Sequence, residues 1–102
     1  MMCKVYLIFA VLHLIYALNN GLGLRPPMGW NLNNAFGTNI NEKLIKESVD
    51  VLVSSGLAEL GYKYVNLNDG WQNKSRAANG TLVPDPAKFP SGMKALADYI
   101  HS

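Results

Sequence analysis

The residues of this 102-residue chain best able to engage a polar ligand fall in one heptapeptide, VNLNDGW, residues 65–71. An apolar and polar alternation of the kind a strand shows ends there on Asn68, Asp69, Gly70 and Trp71. An ionised carboxylate accepts short, charge-assisted hydrogen bonds from hydroxyls, and an amide both donates and accepts. The competing reading is a plain turn, since Asn, Asp and Gly are all favoured there. Gly29-Trp30-Asn31 repeats the combination of aromatic and amide, a pairing that suits sugars, although Trp30 by itself reads more readily as an ordinary core tryptophan. No Ser/His/Asp grouping is available, because His13 falls in the apolar N-terminal run and His101 is the penultimate residue. Neither a glycine-rich phosphate loop nor a clustered metal-ligand set occurs, so no cofactor and no metal are expected.

For these residues to act together, secondary structure must bring them to one place. Residues 28–32 (MGWNL) read as a short strand after the extended segment GLGLRPP, where two prolines restrict the backbone. Asn39-Ile40-Asn41-Glu42 reads as a capping box with Asn39 as cap. Leu44, Ile45, Ser48, Val49, Leu52 and Val53 then recur at helical spacing. Gly61 is the expected stop, with Gly56 a possible earlier interruption. Residues 62–67 (YKYVNL) read as a second strand, residues 72–90 as a polar loop, and Ser91 as the cap of a helix carrying Met93, Leu96, Ala97 and Ile100. Strand, helix, strand, loop and helix is the rhythm of βαβα units with a parallel sheet, and two such units cannot close one. The chain reads as the opening of a larger α/β domain whose strand mouths hold Asn31 and the Asn68, Asp69 pair.

The first 20 residues stand apart. Lys4 precedes an apolar run from Val5 to Leu18, interrupted by His13 and followed by Asn19 and Asn20, the layout of a secretory signal peptide over residues 1–20. Cleavage is expected between Ala17 and Gly21, leaving residues 21–102 in a secreted or lysosome-like compartment with no membrane attachment. The single cysteine, Cys3, belongs to the leader, so no disulfide is expected. Asn73-Lys74-Ser75 and Asn79-Gly80-Thr81 are glycosylation sequons in the polar loop. The net charge of +2 is scattered along the chain, which gives no footprint for nucleic acid.

The segments RPPMGWN, FGTNINEKLIKES, GLAELGYKYVNLNDGW and NGTLVPDPAKFPSGMKALADYIHS closely resemble, in that order, the N-terminal part of the secreted α-galactosidases, or melibiases. The resemblance implies a retaining glycoside hydrolase with a (β/α)8 barrel and a C-terminal β-sandwich, acting on terminal α-linked galactose in small or oligosaccharide α-galactosides. Residues 21–102 then form about the first two βα units of that TIM barrel, and its nucleophile and acid/base belong to later strands. By the same resemblance Asp69 is the second of two aspartates that bind galactose hydroxyls, and Asn68 stands where the first would be. Asn33 replaces a tryptophan that packs on the sugar, and Thr38 and Gly70 replace a cysteine pair. Two expectations follow: an α-galactosidase, with α-N-acetylgalactosaminidase as its relative in fold and chemistry, or a non-catalytic truncated relative that at most binds sugar weakly.

Overall fold

A computed structural model of the chain describes residues 20–102; Cys3 and the expected leader, Asn20 excepted, lie outside them. The elements run β1 (Gly29–Asn31), α1 (Asn33–Phe36), α2 (Glu42–Ser54), β2 (Tyr64–Asn66) and α3 (Gly92–His101). β1 and β2 pair in parallel, with Gly29 opposite Tyr64, Trp30 opposite Val65 and Asn31 opposite Asn66. Gly29 permits this approach, because a Cβ there would collide with the Tyr64 carbonyl and lie 2.6 Å from the Tyr64 Cβ.

Side chains alternate across a strand, and the alternation divides the heptapeptide. Val65 and Leu67 pack on a core formed by Leu32, Ile40, Ile45, Phe89 and Leu96. Asn66 and Asn68 fall on the other face, which they share with Asn31. The core side of the sheet is covered by α2 and α3, which contact each other and are tied on their outer edge by a 2.6 Å hydrogen bond from the Tyr99 hydroxyl to Asp50.

Three boundaries differ from the sequence expectation. Asn41, not Asn39, caps α2, accepting from the Leu44 N–H at 2.9 Å, because Asn41 is the residue with extended backbone just before the first turn. The helix ends at Ser54 rather than near Gly61, since Gly56 takes a left-handed φ of 79° and donates to the Val53 carbonyl. Ser91 makes no side-chain cap for α3; its backbone N–H donates instead to Glu42 Oε2 at 3.1 Å.

Glu42 therefore does more than a capping glutamate. It is the buried charged residue among the described residues, at the first position of α2, where a carboxylate also suits the helix dipole. Lys46 donates to its Oε1 at 2.6 Å, and the Glu42 N–H donates to the Lys88 carbonyl at 2.9 Å. The Lys46 hydrogen bond and then the Ser91 N–H lower its carboxyl from 4.5 to about 2. A carboxyl depressed on folding stabilises the native state above its unfolded value, and that stabilisation is lost as pH falls toward the folded value. Between pH 4.5 and 2, the urea midpoint of the wild type is expected to fall more steeply than that of Glu42→Gln. Parallel curves would contradict this role.

Candidate functional site

The parallel register sets the C-terminal ends of β1 and β2 side by side, and there the amides connect. The Asn33 N–H donates to Asn31 Oδ1 at 2.9 Å, and Asn31 Nδ2 donates to Asn68 Oδ1 at 2.8 Å. A backbone N–H can only donate, so it fixes which end of Asn31 is oxygen. The Asn31 nitrogen then requires an oxygen from Asn68. The relay leaves Asn68 Nδ2 as a donor with no partner among the described residues. Beside it in sequence, Asp69 Oδ1 accepts from the Gly70 N–H at 2.7 Å and from Gln72 Nε2 at 2.6 Å, whereas Oδ2 takes no hydrogen bond among the described residues. The mouth thus presents an amide donor and a carboxylate acceptor.

Asp69 is held ionised. The Gly70 N–H, the Gln72 amide and the charge of Lys88 together hold its carboxyl below the ordinary value of 3.8, outweighing the opposing effect of partial burial. Lys88 reaches the site from the segment before α3, and its ammonium donates at 2.9 Å to both the Thr38 and the Gly70 carbonyls. Those two residues are packed backbone to backbone: a Cβ on Gly70 would lie 2.6 Å from the Thr38 oxygen and 2.9 Å from the Thr38 Cβ. The loop after β1 and the loop after β2 meet at this point.

Of the residues singled out in the sequence, Asn68 and Asp69 lie at this mouth together with Asn31, the hub of the relay. Trp30 does not join them. It pairs with Val65 across the sheet, on the face opposite Asn31, and stays 42% exposed in an apolar groove with Phe36, Val51, Leu52 and Leu57. Asn33 contributes its backbone N–H, which orients Asn31, and Trp71 packs half-buried against the core cluster. Lys88 and Gln72 escaped the sequence reading because their contacts span long or irregular loops with no periodic signal. The segment after Trp71 is no open loop: Asn73 donates to the Val83 carbonyl and Asp85 to the Trp71 carbonyl, each at 2.8 Å. Of its two sequons, Asn79 stands exposed near the turn closed by Gly80 and Ala77, and Asn73 is half-buried.

The family model described as alpha galactosidase A (Melibiase_2) matches residues 26–102. The chain belongs to this α-galactosidase family. It is 61% identical over 85 residues to the α-galactosidase of Coffea arabica, covering 83% of this chain and 22% of that protein. It is 47% identical over 95 residues to the α-N-acetylgalactosaminidase of Gallus gallus, covering 83% and 24%. Among solved structures it is similar to α-galactosidase I of Mortierella vinacea, at a TM-score of 0.77 and 49% identity over 82% of this chain and 21% of that one. The α-galactosidase of Saccharomyces cerevisiae with raffinose gives a TM-score of 0.76 at 44% identity, over 80% and 18%. The chain spans about a fifth of the length of these relatives. Its two βα units are the N-terminal portion of a (β/α)8 barrel, in which strand mouths converge on the active site.

The contact at Gly70 can be separated from its left-handed backbone by comparison with Gly80, which has a similar φ (85° against 82°) but open space at its Cβ. Gly80→Ala is expected to cost about 1–2 kcal/mol for the left-handed alanine. Gly70→Ala is expected to cost a further ~1–3 kcal/mol for overpacking against Thr38. Equal losses in denaturant unfolding would mean that the two loops do not meet as described.

Proposed function

We propose that this chain supplies the galactose-recognising mouth of the first two barrel units of a retaining α-galactosidase, which hydrolyses terminal non-reducing α-D-galactose. The observation that carries the reading is Asp69, ionised and with one oxygen open beside the outward amide of Asn68, at a strand mouth in a member of this family. A group that donates or takes the glycosidic proton needs a pKa raised toward the working pH; the shift at Asp69 is downward, which suits an acceptor for sugar hydroxyls. The two carboxylates that break the bond with retention stand about 5–5.5 Å apart, and by family resemblance they belong to strands beyond these 102 residues. Substrates are then α-galactosides, with raffinose as the model supplied by the yeast relative. N-acetylgalactosaminides form the second reading, favoured by the likeness to the Gallus gallus enzyme.

Asn68 tempers the grip. A neutral amide makes hydrogen bonds roughly half as strong as a carboxylate, and the Asn31 relay already uses one of the two lone pairs on its single oxygen. The full chain alone is expected to leave a chromogenic α-galactoside intact and to bind galactose in the millimolar range, about −4 kcal/mol. Asn68→Asp should tighten binding about five- to tenfold, and Asp69→Ala should remove it. Unchanged affinity in Asp69→Ala, measured by titration calorimetry, would show that the sugar does not sit at this mouth.

A further inference from the structure

We propose that Lys88 is a positioning residue for the strand-mouth site, its ammonium clamping the loop after β1 to the loop that carries Asn68 and Asp69; this rests on the galactoside reading for its purpose, not for its geometry. Two carbonyls, Thr38 and Gly70, point at one nitrogen at 2.9 Å each. Carbonyl oxygens brought together repel one another unless a donor or a cation stands between them, and an ammonium supplies both charge and up to three N–H groups.

The stem that carries the ammonium is itself fixed. The Lys88 carbonyl accepts from the Glu42 N–H, and the next residue, Phe89, is among the most deeply buried side chains of the core. The clamp therefore transmits the position of α2 and of the core to the loop that ends in Asp69. It also explains why Gly70 is a glycine, since the Thr38 backbone fills the place of its Cβ. With Cys3 the one cysteine of the chain, no covalent link can perform this task within residues 21–102. Lys88 is the charged side chain whose field acts on Asp69; the other groups at that carboxylate are the Gly70 N–H and the Gln72 amide, both neutral.

The test is amide hydrogen exchange by NMR on the full chain, without sugar, in Lys88→Met and Lys88→Arg. In Lys88→Met, exchange at Gly37, Asn39 and Gly70 is expected to accelerate about tenfold or more relative to Ile45 and Leu96, and the Asp69 carboxyl should titrate nearer its ordinary value. Lys88→Arg keeps charge and donors, and should hold both readouts close to wild type. Unchanged loop protection in Lys88→Met overturns the proposal. So does a rise shared equally by α2, α3 and the loops, or a collapse of both variants alike. No readout involves galactose, so failure of the clamp and failure of the sugar reading are told apart.

Discussion

Four consecutive residues, Lys88 to Ser91, hold the described part of this chain together. The Lys88 carbonyl accepts from the first residue of α2, and its ammonium reaches both strand-mouth loops. Phe89 fills the core at 2% exposure, and the Ser91 N–H meets the Glu42 carboxylate. Each connection crosses from one part of the chain to another, so the segment before α3 fixes α2, α3 and the two loops relative to one another. A region with two short strands and a small core has few other long-range ties, and the loss of one partner of a buried charge is costly.

From that frame the polarity of the mouth follows. One backbone N–H, from Asn33, orients Asn31; Asn31 orients Asn68; and Asn68 is left showing a donor. Asp69, ionised and bonded through one oxygen, shows an acceptor. A sugar hydroxyl can accept from the first and donate to the second. An aspartate at position 68 would instead offer a second acceptor and a second negative charge, so an amide and a carboxylate there present different hydrogen-bonding sets at the mouth.

Much of this was legible in the sequence, and the reasons differ by element. The helical face through Ile45, Val49 and Leu52 and the alternation of Val65 and Leu67 are periodic signals that burial enforces. Val53 shares the period yet stays 62% exposed, lining a shallow groove beside Tyr99 and Ile100, because periodicity states which face is apolar and not how far the neighbouring helix covers it. The position of Asp69 after the second strand was readable, as was the family. The amide relay was not, since it depends on strand register. Nor was the side of the sheet on which Trp30 lies, since strand alternation sets it on the face opposite Asn31. Glu42 looked like a capping residue because the local spacing fitted, whereas its partners Lys88 and Ser91 lie more than forty positions away.

A parallel pair of strands gathers its polar residues at one end, and the proposed recognition of galactose rests on the donor and acceptor set held there. The most direct measurement is a crystal structure of the full chain soaked in galactose. Sugar hydroxyls within hydrogen-bonding distance of Asn68 Nδ2 and Asp69 Oδ2, with Asn31 still bridging to Asn68 and Trp30 untouched, are the predicted result. Galactose stacked on Trp30, or seated away from Asp69, would contradict the account.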